Sequence, residues 1–378
     1  MLASHLATTP SSVRAAPDEN QWWSRASAIA GALTSEPGWR GLYHLGDGLL
    51  DVASDCAALM RELDDHYGEC AIASAPATDM PRVRVSVYAT GNEHLALVRF
   101  HEPASMDAFA AALALLKHPA TNPDFVDQTR RLDGWRLIVE SATGLPVVAA
   151  RGSEVLVDWA RTTSRVFGQL VVNPVLAQQR GLLFAHAASV GINDSGVLLV
   201  GPSGSGKTTS AMTLASRGHA YFGDDVAAIR YETGDLIAFR RTAHVRPGPH
   251  ARTLERHLEQ GKWDGPYRDG KPRLRLRVAE VFPAAPRASL PLRRVLFLRG
   301  FAARPHIEPF VATAQAFGTA SPFALNNTLW VAWGTTPPLR LMQFMLFTRM
   351  LERVRCGWLD VGHPDATADL IEHTQEHS

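Results

Sequence analysis

The 378-residue sequence has few cysteines, no excess of either charge and no long apolar run. Its three cysteines are scattered and form no C-x-x-C pair, so neither a disulfide framework nor a zinc site is predicted. Lys and Arg (38) nearly balance Asp and Glu (37), which argues against the broad basic surface of a nucleic-acid-binding protein. Because membrane-length apolar stretches and a signal-peptide pattern are both missing, we expect a cytoplasmic protein without a membrane partner.

A chain of this length is long enough for two domains. Residues 1–20 are rich in Ala, Ser, Thr and Pro, and we expect them to lack fixed structure. Helical and alternating apolar patterns over residues 21–163 predict a smaller mixed α/β domain, in which Val52 to His66 has helical spacing and Asp51 is the expected cap. Residues 164–378 are predicted to form a second α/β domain around a central mixed sheet.

The most informative stretch runs from Gly196 to Asp225. It reads as an apolar strand, a loop with three glycines, an Ala/Leu/Met-rich helix and a second short apolar run. The loop and the residue after it are Gly201, Pro202, Ser203, Gly204, Ser205, Gly206, Lys207, Thr208 and Thr209. Glycines let backbone N–H groups turn inward around an anion, and the start of a helix adds its positive end. The stretch therefore predicts a phosphate-binding loop.

The pattern G-x-x-x-x-G-K-[ST] assigns chemistry to two of these side chains. Lys207 is expected to reach the β- and γ-phosphates of a nucleotide, and the Thr208 hydroxyl is expected to bind Mg²⁺. The expected cofactors are ATP and Mg²⁺, and the preference for ATP over GTP stays open because no base-reading motif is present.

Asp224 and Asp225 follow the strand after the loop helix. Because the carboxyl ends of strands in an open α/β sheet share one crevice, we expect both carboxylates to lie near the loop. One could bind Mg²⁺ and the other could accept a proton from an attacking hydroxyl, although a charged turn has the same sequence. His186 lies on an apolar strand that a turn at Asn193-Asp194-Ser195-Gly196 brings toward the loop, and it is either a core or a site residue.

Together with Arg217-Gly218-His219, these motifs resemble the catalytic core of the bacterial HPr serine kinase/phosphorylases. They resemble more closely the HPr-kinase-related proteins, whose fold is shared with ATP-dependent phosphoenolpyruvate carboxykinases. The resemblance covers roughly residues 165–375. It implies that Asp224 is the general base, steered by His186. It also implies that Asp225 and Thr208 hold the metal and that Lys207 binds the phosphates.

One part of the family pattern is missing. In place of the signature Ile-Glu-Ile-Arg-Gly-Leu-Gly, residues 237–246 read Ile-Ala-Phe-Arg-Arg-Thr-Ala-His-Val-Arg, so the metal-binding glutamate of the family has no counterpart. This region opens a series of six arginines, which predicts either a site for phosphate or an acidic substrate, or a solvated strand face. The series is Arg240, Arg241, Arg246, Arg273, Arg275 and Arg277.

The favoured function is an ATP-dependent kinase that transfers the γ-phosphate to a Ser or Thr hydroxyl of a protein or peptide. A small-molecule acceptor, an NTPase and a nucleotide-binding scaffold are the alternatives. The later strand Val295-Leu-Phe-Leu-Arg lacks the terminal Asp common in hydrolases and switch NTPases, and no Asn-Lys-x-Asp motif is present. The identity of the acceptor stays open. The oligomeric state also stays open, although the related kinases are often oligomers and a homo-oligomer is possible.

Overall fold

The computed structural model describes the greater part of the chain as three β-sheets with helices packed on them. Among the described residues, no helix is both long and apolar enough to cross a membrane. The described residues are 38–76, 80–89, 95–101, 125–126, 131–132, 135–140, 146–158, 171–172, 174–176, 179, 181–245, 262–264, 273–283, 288–310 and 337–376. The expectation for residues 1–20 lies outside them.

The first sheet contains nine strands in the described part of the N-terminal half. Its order is β1-β2-β3-β4-β9-β8-β7-β5, and β6 pairs with β7. Strands β2 and β3 are parallel, whereas β3 and β4 are antiparallel. The strands are β1 (Trp39–Leu45), β2 (Gly48–Ser54), β3 (Arg82–Ala89), β4 (Leu95–His101), β5 (Phe125–Val126), β6 (Arg131–Leu132), β7 (Trp135–Glu140), β8 (Pro146–Arg151) and β9 (Glu154–Asp158).

The helix expected from Val52 begins later than predicted. Helix α1 spans Ala57–Tyr67 and leads into a short 3₁₀ turn, Gly68–Cys70. The expected cap, Asp51, lies instead inside β2, where its carboxylate pairs with Arg82 of the neighbouring strand. Pairing on both sides of β2 therefore overrides the helical spacing at its end.

The second sheet also contains nine strands within the described residues. Its main path is β10-β14-β15-β19-β12-β11-β13, with β21 beside β19 and β20 beside β21. The strands are β10 (Leu182–Ala185), β11 (Ala187–Ile192), β12 (Ser195–Val200), β13 (Ala220–Gly223), β14 (Ala227–Arg230), β15 (Asp235–Ile237), β19 (Ser289–Phe301), β20 (His306–Pro309) and β21 (Arg355–Val361). A third sheet has the order β16-β18-β17, formed by β16 (Ala243–Val245), β17 (Lys262–Asp264) and β18 (Arg273–Leu276).

Four further helices have both ends within the described residues of this half. They are α2 (Lys207–Ser216), α3 (Val278–Val281), α4 (Pro337–Leu351) and α5 (Pro364–Glu376). Apolar side chains of α2 and α5, such as Leu214 and Ile371, are fully buried in one cluster with residues of β12. The chain is thus a mixed α/β protein with mixed sheets, as predicted.

Strand β12 lies inside the second sheet and leads directly into the loop. It runs parallel to β19 and antiparallel to β11, and its residues 196–200 are all buried. This burial explains why the strand reads as a continuous apolar run. The predicted turn before it is confirmed, because Asn193 and Asp194 have φ of 48° and 61°, which suits a two-residue hairpin.

The two halves contact each other through apolar and charged side chains. One buried cluster contains Tyr43 and Leu50 of the first sheet together with Phe184 and Ile229 of the second. The division into domains at residues 163/164 stays a prediction.

Candidate active site

The loop between β12 and α2 needs its glycines for two reasons. Gly204 and Gly206 have φ of 83° and 98°, in the region that glycine adopts without strain. At Gly201, a Cβ atom would lie 2.7 Å from Ser205 Oγ and 3.0 Å from the Leu298 carbonyl oxygen. The chain reversal and the close approach of the loop to β19 therefore both require glycine, which has no Cβ atom.

The remaining loop residues differ in exposure. Ser203 is exposed at the crest, whereas Ser205 is buried, and Pro202 and Thr209 are half-buried. The Ser205 N–H donates to the Pro202 carbonyl at 3.2 Å, which closes the turn.

Lys207 is the first residue of α2 and is held under the loop. Its ammonium donates to the carbonyl oxygens of Gly201 at 2.7 Å and Pro202 at 3.0 Å. Burial lowers the pKa of Lys207, and the negative charges of Asp225 and Asp224 oppose that shift. The lysine thus lies close enough to both aspartates for their charges to act on it.

Strand order explains why distant residues meet beside the loop. Strands β12 and β13 both run antiparallel to β11, which lies between them. Their carboxyl ends therefore lie at the same edge of the sheet, where β11 begins. This arrangement brings Gly201, Asp224 and His186 to one place.

Asp224 is buried next to the loop helix, with only 5% of its surface exposed. The Thr208 hydroxyl donates to Asp224 Oδ2 at 3.1 Å. Burial raises the pKa of Asp224 to about 6, and the negative charge of Asp225 adds to the rise. Arg241, Thr208 and Tyr221 oppose it. The result is a buried carboxyl group with a raised pKa beside the threonine of the loop.

Asp225 has different partners because the chain turns sharply there. The Val226 N–H donates to the Asp224 carbonyl at 2.6 Å, and Asp225 has a φ of 64°, in the left-handed region. Its carboxylate forms an ion pair with Arg241. His186 Nδ1 lies 3.1 Å from Asp225 Oδ1 and 2.9 Å from the Asp225 carbonyl oxygen.

These contacts differ from two roles that the family resemblance implies. His186 was expected to steer Asp224, but its ring contacts Asp225. Thr208 was expected to share a metal ion with Asp225, but its hydroxyl donates a hydrogen bond to Asp224. The left-handed turn gives the adjacent carboxylates separate partners, which a sequence motif does not specify.

The arginine series is largely engaged within the protein. Arg240 lies 3.3 Å from Glu69 and donates to the Phe282 carbonyl at 2.8 Å, and Arg275 lies 2.5 Å from Asp65. These arginines and Arg241 do not form a solvated face, whereas the Arg277 side chain is 53% exposed. A role of the series in binding phosphate or an acidic substrate stays a prediction. Arg246 and the side chain of Arg273 lie outside the described residues. Glu69 and Asp65 lie 171 and 210 positions away from Arg240 and Arg275 in sequence, so no local signal could have predicted these two pairings.

The Arg217-Gly218-His219 motif has a structural role that the sequence did not indicate. Arg217 lies 2.6 Å from Asp369 and 2.9 Å from Glu372 of α5, and His219 lies 2.8 Å from Glu372. These ion pairs hold the C-terminal helix α5 against the end of α2.

The fold and the site together define a mixed α/β protein with a candidate phosphate-binding loop and a buried carboxyl group beside it. Two curated relatives are similar to part of the chain. HPr kinase/phosphorylase 1 of Oceanobacillus iheyensis is 29% identical over 128 residues, which is 30% of this chain and 40% of the relative. HPr kinase/phosphorylase of Bacillus mycoides is 37% identical over 90 residues, 24% of this chain and 29% of the relative. The predicted resemblance is confirmed, and part of the chain is HPr-kinase-like.

These similarities are partial. The chain matches less than half of the length of either curated relative. A solved structure of the HPr(Ser) kinase/phosphatase from Coxiella burnetii aligns with 51% of this chain and 89% of that chain, at 14% identity and a TM-score of 0.25. No family model matches the chain.

Proposed function

We propose that the protein is an ATP-dependent kinase that transfers the γ-phosphate to a Ser or Thr hydroxyl of a protein or peptide. The observation that carries the proposal is the position of Asp224. Asp224 is buried beside the loop and accepts a hydrogen bond from the Thr208 hydroxyl. Its pKa of about 6 suits a general base near neutral pH. The names of the curated relatives support phosphotransfer as the reaction class.

In the proposed reaction, the loop and Lys207 bind and orient the phosphates of ATP. The loop N–H groups and the positive end of α2 favour the triphosphate. Asp224 takes the proton from the acceptor hydroxyl as its oxygen attacks the γ-phosphorus. The bond from the γ-phosphorus to the bridging oxygen breaks, and ADP leaves with the electron pair.

The residues present also fit a magnesium ion. The Thr208 hydroxyl beside the loop would hold it, because Mg²⁺ is commonly bound by one or two protein oxygens together with phosphates and water. This leaves Asp224 for the role of base. Among the described residues, no group of three or more His, Cys, Asp or Glu could hold a metal, so substrate oxygens would complete the shell. Bound Mg²⁺ supplies neutralisation of phosphate charge. Asp225 fits this role less well because Arg241 and His186 engage it.

The test uses purified protein, γ-labelled ATP and Mg²⁺, with and without cell extract. Label on a protein as an acid-stable, alkali-labile phosphoester supports the proposal. Label on a metabolite would indicate a small-molecule acceptor, and free phosphate alone would indicate an NTPase. Tight ATP binding without any turnover would indicate a scaffold. Each of these last three results contradicts the protein-kinase proposal.

A matched pair of variants connects the result to the site. Asp224→Asn removes the proton acceptor with little change in shape, and it should stop transfer. Asp235→Asn makes the same chemical change in a surface hairpin, where Asp235 accepts a hydrogen bond from Thr233. The control should transfer phosphate at the wild-type rate.

A further inference from the structure

The N-terminal half contacts the chain segment that leads away from the candidate site. The Thr242 N–H donates to the His66 carbonyl at 3.1 Å, and the Thr242 hydroxyl donates to the Asp65 carbonyl at 2.5 Å. Cys70 Sγ donates to the Arg240 carbonyl at 3.0 Å. The end of α1 and the 3₁₀ turn after it therefore hold residues 240–242 on both sides of Arg241.

Arg241 itself connects that contact to the acidic pair. Its side chain is only 14% exposed and is paired with Asp225. The Tyr67 hydroxyl, at the end of α1, forms a hydrogen bond with it. A buried guanidinium is costly unless its donors are matched. Here partners come from both halves of the chain, while Arg241 Nε is buried without a hydrogen-bond partner among the described residues.

The pair changes the charge that a nucleotide would meet. Two adjacent carboxylates beside a phosphate loop repel a triphosphate, and this repulsion is strong where burial limits screening by water. Lys207 is close to both aspartates, and His186 contacts Asp225. Arg241 adds a buried positive charge that offsets the charge of Asp225, with which it is paired. The Asp224 carboxylate instead accepts a hydrogen bond from Thr208.

We propose that Arg241 is a positioning residue for nucleotide binding, and that the N-terminal half, through residues 65–70, holds it against Asp225. This inference rests on the proposed function, because it deepens the account of the same site. The role of the N-terminal half would be to hold Arg241 where its positive charge reduces the negative charge that ATP meets beside the loop.

The test is a charge-rescue series with ATP binding as the main measurement. Arg241→Gln leaves Asp225 unbalanced, and the Kd for ATP should rise by about tenfold or more. Asp225→Asn alone should bind ATP at least as tightly as the wild type. The double variant Arg241→Gln/Asp225→Asn should return to within about threefold of the wild type, because both charges are gone. A purely structural role of Arg241 would not produce this rescue.

Two further variants complete the design. Arg230→Gln is the matched control, because Arg230 also joins the halves, at 2.7 Å from Asp47, but lies away from the loop. It should leave the Kd for ATP unchanged. Tyr67→Phe should weaken binding in the wild-type background and have no added effect in Arg241→Gln, as expected if the phenol acts through the arginine.

Several results would overturn the inference. One is a Kd for ATP in Arg241→Gln equal to that in Arg230→Gln. Another is a double variant whose Kd is no lower than that of Arg241→Gln. The third is loss of ATP binding in Asp225→Asn. Urea unfolding of each variant checks that it is folded at the assay temperature. Binding and transfer are separate measurements: a wild-type protein that binds ATP without transferring phosphate contradicts the proposed kinase, while the binding series still decides the role of Arg241.

Discussion

Replacing Asp224 with Asn should stabilise the protein at neutral and alkaline pH while it stops transfer. The pKa of Asp224 is raised from 3.8 to about 6 in the folded state, chiefly by burial. The folded protein therefore holds this proton more tightly than the unfolded chain does. The resulting stability is present below about pH 4 and is lost as the pH rises through about 6. A shift of about two pKa units corresponds to about 3 kcal/mol.

Asparagine has nearly the same shape and no charge, so it avoids the cost of a buried carboxylate. The advantage of the variant should grow from about 1 kcal/mol near pH 4.5 to about 3 kcal/mol near pH 8. Urea unfolding in EDTA measures this difference without a metal ion on the carboxylate. Asp235→Asn should change the free energy of unfolding by less than about 0.5 kcal/mol at either pH. An Asp224→Asn variant less stable than the wild type at pH 8 would refute the reasoning.

Three other substitutions test the loop and the helix beside it. Lys207→Ala should raise the Kd for ATP by about 100-fold or more in a binding titration, because the buried ammonium is lost. Gly201→Ala should weaken ATP binding, since its Cβ would lie 3.0 Å from the Leu298 carbonyl, whereas Gly300→Ala, which has open space, should not. Arg217→Gln should lower the free energy of unfolding by about 1–2 kcal/mol in urea titrations, because it releases the charged contacts to α5.

Local features of the fold could be predicted from the sequence. The turn at Asn193 and Asp194 and the glycine-rich loop each depend on backbone preferences within a few residues. The helix expected from Val52 is present, but its predicted start was wrong for the opposite reason. Residues 52–54 pair with a strand about 30 positions later, which keeps them out of the helix. Prediction was therefore reliable where the cause was local.

The partners at the site could be predicted only in part. The position of Asp224 near the loop follows from strand order, and the sequence suggested it correctly. The partners of Asp225 depend on a left-handed turn and on Arg241, which the N-terminal half holds in place. Neither cause leaves a pattern in the nearby sequence.

The most direct test of the central claim measures ATP binding and phosphate transfer in the same preparation of Asp224→Asn. The variant should bind ATP about as tightly as the wild type and should transfer no label to the acceptor. Transfer at the wild-type rate by this variant would contradict the assignment of Asp224 as the base.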